Sequence, residues 1–346
     1  MRARWLGWVL GVVSAGCSSA GGGHSPGAGG SAGVAGAGGV PATGGTGSVG
    51  AAGTPAGGGA GSSAAGAGGS AGAGGSAGTD LGPSTPNPPA PGSWIKVAHG
   101  SYSAGAGPGD VCNTSVNQMS HAVTLTHDFE LSATEVTFAD YQLATGVAHP
   151  SAAGCPTCPV DLMTWHSAAA VCNAYSKGAG LVPCYSCEGS GSKTVCKEAI
   201  APHACHGYRL PTEAEWEFAH RAGTTTPTYA GPISVCGGLD PSLDQIAWFL
   251  YNSAGGAHPV ASKKPNAWGF FDMSGNVWEW THDGYVTDRS TLPAVDPVGT
   301  TSEDLRVMRG GSYNCLPSEV RSAHRSGLPS SISGLNVGVR CARTLN

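Results

Sequence analysis

The chain has 346 residues and a formal net charge of -5 at pH 7, and more than half of its 57 glycines precede residue 92. It contains no lysine- or arginine-rich run, which argues against nucleic acid as a partner. Residues 18–92 are mainly glycine, alanine, serine and proline, with no charged or aromatic side chain from Ser18 to Thr79. Such a segment buries too little apolar surface to offset its chain entropy. We therefore predict a disordered tether over 18–92 and one folded domain over 93–346.

Residues 1–17 have the order of parts that is typical of a secretory signal. Arg2 and Arg4 precede an apolar run, and Ala15-Gly16-Cys17 follows it. This ending resembles a bacterial lipobox, in which the cysteine is acylated and becomes the new N-terminus, although Ser14 stands where leucine is usual. The sequence thus predicts an exported lipoprotein, periplasmic or at the cell surface, with the outer membrane as the expected site. The alternative is an ordinary signal peptide in which Cys17 is incidental.

Eleven of the 12 cysteines lie in the predicted domain. Two C-x-x-C pairs, Cys155/Cys158 and Cys184/Cys187, have a spacing that suits a four-thiolate zinc site. The oxidising surroundings of an exported protein favour disulfides instead. Residues 183–196 are rich in turn-forming residues and have no helical period, so we expect bridges to hold them as a surface loop.

Apolar residues at alternate positions predict two half-buried strands. They are Val123, Leu125, Phe129 and Leu131 in the first strand, and Leu335, Val337, Val339 and Cys341 in the last. His127 falls on the same inward face as the first set. We interpret it as a satisfied, partly buried histidine rather than as a metal ligand.

Two helices are predicted in the first half of the domain. Thr137 and Asp140 have the spacing of a capping box, and Gly146 follows as a stop signal. A second helix is indicated by apolar side chains at helical spacing from Trp165 to Tyr175.

The third predicted helix has the clearest local signal. Thr212 is its N-cap, Glu215 is the capping-box partner, and Gly223 is the expected end. Loops and short strands follow, so the pattern predicts an α+β domain with much irregular backbone.

Four segments in a fixed order carry a family likeness. They read E-V-T at 135–137, Y-R-L-P-T-E-A-E-W-E at 208–217, G-F-F-D-M-S-G-N-V-W-E-W at 269–280 and R-G-G-S at 309–312. Together they resemble the formylglycine-generating enzymes, also called sulfatase-modifying factors, over the whole of 93–346. The resemblance implies a single domain with an atypical C-type-lectin-like α+β fold that is poor in regular secondary structure.

The resemblance also names candidate catalytic residues. In the oxygen-dependent oxidases of this family, two cysteines five residues apart after the G-G-S motif hold copper(I), a soft ion that soft thiolates suit. Here Cys315 matches the first cysteine, whereas Val320 stands at the second position. Ser312 and Trp278 match positions that line the family's pocket, and either residue has packing as its alternative role. Copper is expected only if the chain is catalytic; otherwise Cys315 is a disulfide partner or a small buried side chain.

Calcium is the better-supported ion. Asp272 and Glu279 lie seven residues apart around a Gly-Asn turn and offer the hard oxygen ligands that calcium requires. The resemblance implies that these two side chains would bind it together with the backbone carbonyls of Gly275 and Val277. The alternative is that both carboxylates accept hydrogen bonds only from backbone amides.

Three functions are compatible with these features. The first is an exported binding or accessory module that has lost the oxidase site, with an exported protein or a glycan as its partner. The second is a copper-dependent oxidase that converts a cysteine of an exported sulfatase to formylglycine. The third is carbohydrate binding by the lectin-like fold, for which exposed aromatic side chains beside a calcium ion would be the discriminating feature.

Overall fold

The computed structural model describes residues 92–107, 109–113, 118–152, 154–300 and 305–346, which fall in one structural unit. The predicted signal peptide with Cys17 and nearly all of the predicted tether lie outside these ranges. Within them the chain forms eleven short strands and four α-helices. This is the α+β organisation, poor in regular structure, that the sequence predicts.

A three-stranded antiparallel sheet joins the two ends of the domain. It consists of β1 (Trp94–Val97), β4 (Phe129–Ser132) and β11 (Ala342–Thr344), with β4 in the centre. Ile95 and Ala342 both have Leu131 as their partner in the register. The first and last strands of the domain therefore pair with the same strand.

A four-stranded sheet forms the other half of the scaffold. Its order is β10 (Val337–Gly338), β7 (Trp278–Gly284), β8 (Arg306–Arg309) and β9 (Arg325–Leu328). All neighbours are antiparallel except β10 and β7, which are parallel.

Two hairpins complete the strands. The first pairs β2 (Gly100–Ala104) with β3 (His121–Leu125), and the second pairs β5 (Tyr185–Glu188) with β6 (Val195–Glu198). The second hairpin occupies the cysteine-rich segment that the sequence assigns to a loop.

The prediction of one continuous strand from 121 to 131 is wrong. The chain turns at residues 126–128, and β3 and β4 enter different sheets. His127 lies in this turn with 42% of its side chain exposed, so its predicted inward orientation is also wrong. The alternation of apolar residues continues across the turn only because both strands face a core.

The last predicted strand is likewise divided between two sheets, as β10 and β11. Val337, Val339 and Cys341 are fully buried as predicted, but Leu335 is 43% exposed. Between the two strands the backbone carbonyl of Val339 accepts a hydrogen bond from the amide of Val136 at 2.9 Å.

The four helices are α1 (Phe138–Thr145), α2 (Trp165–Gly178), α3 (Glu213–Arg221) and α4 (Pro241–Asp244). Both predicted capping boxes are present, at Thr137 and Thr212. α1 ends at Gly146 in the left-handed conformation, as predicted. α3 ends one residue earlier than predicted, because Ala222 takes the left-handed cap with a φ of 44°.

Helix α3 is buried along its whole length, and its three glutamates are paired with arginines. Glu213 contacts Arg325, and Glu217 contacts Arg309, both within 2.8 Å. A buried carboxylate persists as an ion only when it is paired and hydrogen-bonded. These pairs connect α3 to β8 and β9.

Five disulfides occur within the described ranges. They are Cys112–Cys236, Cys155–Cys158, Cys172–Cys341, Cys184–Cys205 and Cys187–Cys196. The alternative of a four-thiolate zinc site is wrong, because each of the four cysteines proposed for it is in a bridge. Two of the bridges hold the cysteine-rich segment, as expected.

Candidate functional site

The turn after the G-G-S motif places two of the predicted catalytic residues side by side. The amide of Cys315 donates to the carbonyl of Ser312 at 3.0 Å, and the Ser312 hydroxyl lies 3.2 Å from the Cys315 sulfur. Both residues are fully buried. Ser312 also donates to the side-chain oxygen of Asn314 at 2.7 Å.

Trp278, the third predicted catalytic residue, is connected to this turn through Asn336. The backbone amide of Trp278 donates to the carbonyl of Asn336 at 2.8 Å. The side-chain amide of Asn336 in turn donates to the Ser312 hydroxyl at 2.7 Å. The structure therefore brings the three predicted residues together. Asn336 is a connecting residue that sequence reasoning missed, because no motif singles it out.

Val320, which the resemblance matches to the second copper-ligand position, is fully buried. It packs directly on the backbone of Gly311, where an added Cβ would lie 2.6 Å from a Val320 methyl group. Gly311 has a φ of 74°, a conformation that glycine adopts without strain. The side chain at position 320 therefore makes an apolar contact with the turn that carries Ser312 and Cys315.

His324 packs beside Trp278, with 5.8 Å between the ring centroids. Burial lowers the pKa of His324 to about 3, and the positive charges of Arg321 and Arg309 act in the same direction. The imidazole is therefore neutral at physiological pH. Its Nδ1 lies 3.3 Å from the side-chain nitrogen of Gln118.

The predicted calcium loop has a tightly constrained backbone. Asp272, Gly275 and Asn276 all have positive φ angles, of 56°, 79° and 58°. An added Cβ at Gly275 would lie 2.1 Å from the carbonyl oxygen of Trp248, so only glycine fits there. Strained left-handed residues of this kind concentrate at functional sites.

Three buried carboxylates, rather than the predicted two, surround this loop. Glu135 accepts hydrogen bonds from the amide of Val277 at 3.0 Å and from the side chain of Asn276 at 2.7 Å. Burial, together with the charges of Asp272 and Glu279, raises the pKa of Glu135 well above its usual value. The E-V-T motif contains this residue, but the sequence offered no reason to connect it with the loop.

Arg340 is a buried cation beside these acids, and it is bound mainly by Glu279. Its guanidinium donates to both Glu279 oxygens at 2.8 to 3.1 Å, and Trp216 donates to the same carboxylate at 2.7 Å. Glu279 is therefore already hydrogen-bonded through both of its oxygens. The alternative that it contacts only backbone amides is wrong.

Asp272 is less completely satisfied. One oxygen accepts a hydrogen bond from the amide of Ala261 at 2.7 Å, while the other is buried and has no partner in the described part of the chain. Burial, reinforced by the charge of Glu279, raises the pKa of Asp272 to about 6. A divalent cation would bind the unpartnered oxygen of Asp272. It would also compensate the negative charge of three buried carboxylates that have only Arg340 as a neighbouring cation.

The same burial argues against a sugar-binding calcium. Asp272 and Glu279 are 1% and 0% exposed, and the neighbouring aromatic residues Phe271 and Trp278 are buried as well. The exposed aromatic side chains that the carbohydrate-binding hypothesis requires are not found beside these carboxylates within the described ranges.

The fold and the turn around Cys315 define an α+β protein of the formylglycine-generating-enzyme type, which is C-type-lectin-like. The chain matches the sulfatase-modifying factor enzyme 1-like domain over residues 82–345. It belongs to this family.

Curated relatives match a part of this domain. The formylglycine-generating enzyme of Streptomyces coelicolor is 40% identical over 147 residues, which is 39% of this chain and 46% of that protein. The enzyme of Mus musculus is 36% identical over 158 residues, or 42% of this chain and 41% of that protein. The chain thus spans less than half the length of these relatives.

Two solved structures share the fold over most of the domain. Treponema denticola variable protein 1 has a TM-score of 0.61 and 26% identity, covering 73% of this chain and 95% of that one. PvdO from Pseudomonas aeruginosa has a TM-score of 0.58 and 24% identity, covering 74% of this chain and 100% of that one.

Among the described residues, no helix is long and apolar enough to cross a bilayer.

Proposed function

We propose that this chain is an exported member of the family that has lost copper-dependent oxidation and acts as a binding or accessory module for another exported protein or a glycan. The observation that carries the proposal is Val320, a buried valine at the second copper-ligand position. Copper(I) needs soft donors, and a valine side chain has none. Since Cys315 supplies at most one thiolate, the residues of this site do not fit the two-thiolate copper centre.

The second candidate is a copper-dependent oxidase that acts on a cysteine of exported sulfatases. The identity of 36–40% to relatives named formylglycine-generating enzyme favours it. It also requires a ligand in place of the missing cysteine. His324 has a neutral imidazole, but its Nδ1 is already within 3.3 Å of Gln118.

A direct assay of copper binding and peptide oxidation distinguishes the two candidate functions. The purified protein is titrated with copper(I) against a chromophoric chelator, and then incubated with oxygen and a peptide that carries the sulfatase cysteine motif. We expect no tight copper binding, no peptide-dependent oxygen uptake and no formylglycine in the peptide. Formylglycine formed by the unaltered protein, and abolished in Cys315→Ser, would instead identify it as an oxidase.

Val320→Cys and Val320→Ala form a matched pair for this assay. Both remove at least one of the γ-methyl groups of Val320, but only the cysteine variant adds a thiolate. If Val320→Cys gains copper binding and Val320→Ala does not, the valine at this position accounts for the absence of copper binding in the unaltered protein. Equal binding by the valine, alanine and cysteine forms would contradict that assignment.

We further propose a structural calcium ion bound by Asp272 and Glu279 with the backbone carbonyls of Gly275 and Val277. The unpartnered oxygen of Asp272 supports it, as does the presence of three carboxylates beside Arg340. Calcium would neutralise the excess negative charge in the buried loop and fix its left-handed residues. Glu279 would then be shared between the ion and Arg340.

Five disulfides indicate an exported protein, since such bridges persist in oxidising compartments. We propose that export is followed by acylation of Cys17 and insertion of the lipid into a membrane. The lipobox-like residues Ala15-Gly16-Cys17 support this proposal. The binding module would then act close to a membrane surface.

A further inference from the structure

Three side chains from distant parts of the sequence meet on the surface of the domain. They are His127 in the turn between β3 and β4, His203 in a 3-10 helix at Pro202–Ala204, and Asp296 in the segment before β8. One ligand atom of each lies within 4.8 Å of the other two. The two imidazole rings stack at 5.4 Å with an angle of 12° between their planes.

Asp296 is held in place by the turn that carries His127. Its two carboxylate oxygens accept hydrogen bonds from the amide and from the hydroxyl of Thr126. The backbone amide of Asp296 also donates to the carbonyl of Thr124 at 2.8 Å, and its φ of 45° is left-handed. The carboxylate is therefore oriented before any ligand binds. Hydrogen bonds that orient a ligating group in this way raise metal affinity.

His203 is also held by its surroundings. The carbonyl of the preceding Pro202 accepts hydrogen bonds from Arg209 at 2.8 Å and from Thr344 at 2.9 Å. Cys205, two residues further on, is bridged to Cys184. The Nε2 atom of His203 is buried and has no hydrogen-bond partner in the described part of the chain. The cluster thus contains an unsatisfied nitrogen.

We infer that His127, His203 and Asp296 form a binding site for a divalent transition-metal ion of the zinc class. Two imidazole nitrogens and one carboxylate oxygen are a donor set that zinc uses in proteins, with water or another ligand in the fourth position. Calcium and magnesium prefer all-oxygen sites, so this cluster discriminates against them. The site is separate from the calcium loop, with which it shares no residue.

The position of the cluster indicates what a bound metal would do. It would cross-link the β3–β4 turn, the 3-10 helix Pro202–Ala204 and the chain leading to β8, none of which is adjacent in sequence. The side chains of His127 and Asp296 are 42% and 17% exposed, so solvent or a ligand from a partner molecule reaches the metal. A surface zinc with an open position can accept a carboxylate or imidazole from another protein.

The test is zinc titration of the full chain, without a polyhistidine tag and in saturating calcium, by competition with a chromophoric zinc chelator. We expect one tight site, and His127→Ala or His203→Ala should weaken it by about tenfold or more. Thr126→Val, which removes a hydroxyl that contacts both Asp296 and Nδ1 of His127 but removes no metal ligand, should weaken it less. Cobalt(II) should give the visible absorption of a four- or five-coordinate site in the wild type and not in His203→Ala.

The matched control is His99→Ala. His99 is an exposed histidine that also contacts an aspartate, Asp128, at 2.7 Å, and it has Lys96 rather than a second imidazole as the neighbour of that carboxylate. Its substitution should leave the tight site intact. The proposal is overturned if the wild type shows no stoichiometric zinc binding, or if His127→Ala and His203→Ala bind zinc as tightly as His99→Ala. Melting curves of the metal-free variants establish that all of them are folded.

Discussion

The imidazole of His324 is buried next to two arginines, Arg309 and Arg321. The sequence alone does not reveal this electrostatic environment. Arg309 and Arg321 are both buried and belong to hydrogen-bond networks that fix them near the ring. Protonation of His324 would add a third positive charge in the same interior region. The native state therefore excludes a proton that the unfolded chain binds readily.

This predicts a loss of stability in acid. The pKa of His324 is about 3 in the folded state against an ordinary 6.5, so between these values the unfolded chain binds more protons and stability falls as pH falls. Lowering the pH from 6.5 to 5 should remove about 2 kcal/mol through this residue alone. Denaturant unfolding of the wild type and of His324→Gln at both pH values measures it. The variant should lose less stability, whereas the exposed control His206→Gln should behave as the wild type does.

At the scale of an element, the two carboxylates of the loop 272–279 differ in how their negative charge is compensated. Glu279 is neutralised by Arg340, while Asp272 keeps an unpartnered oxygen. The two proposed calcium ligands are therefore not equivalent. Removing Glu279 would leave Arg340 buried without its partner, which costs about 3–5 kcal/mol whether or not calcium binds. Asp272 is the better residue with which to test for the ion.

We predict that chelation lowers the melting temperature of the wild type and that calcium alone restores it. A ligand at one hundred times its dissociation constant adds about 2.7 kcal/mol, and each kcal/mol shifts the melting temperature of a domain of this size by about 2–4 °C. Asp272→Asn should lose this response. Asp161→Asn should keep it, because Asp161 also has an unpartnered buried oxygen but no second carboxylate acts on it. An unchanged wild-type curve on chelation would sink the assignment.

The sequence predicted those elements whose signals are local. Thr137 and Thr212 cap their helices because the partner that satisfies each cap lies three residues away. The strands were predicted less well, since alternation of apolar residues does not reveal the turn at His127 that sends β3 and β4 into different sheets. Local signals of this kind report on neighbours along the chain only.

The candidate site was predicted in part. The family resemblance singled out Ser312, Cys315 and Trp278, which lie close together in the structure, and their catalytic role stays a prediction. Asn336, which connects them, was missed because it lies on a different segment and in no motif. Pairing of the cysteines and the meeting of His127 with His203 and Asp296 were not predictable for the same reason. Both depend on contacts between remote segments that only the folded chain defines.

For the whole molecule, the disulfides and the lipobox-like end predict a protein that is exported and then held at a membrane. When the full chain is produced in a bacterium, the mature N-terminus should be an acylated Cys17, and the protein should partition into the membrane fraction. Mass spectrometry of the N-terminal peptide and membrane fractionation measure these outcomes. Cys17→Ser, which removes the thiol that would be acylated, should yield no lipid-modified N-terminal peptide. An unmodified N-terminus at another residue would show that the segment is an ordinary signal peptide.

The pairing of β1 and β11 with the same central strand also determines when the domain can be completed during biosynthesis. Until residues 342–344 have been synthesised, β4 has only β1 as a partner, and a two-stranded ribbon is marginally stable at best. Cys172 cannot form its native bridge until Cys341, 169 residues further along the chain, has been synthesised. Other cysteines are synthesised before Cys341 and can react with Cys172 first. A wrongly formed bridge would be corrected by thiolate attack on one of its sulfurs. The central sheet and the Cys172–Cys341 bridge can therefore be completed only after almost the whole domain has been synthesised.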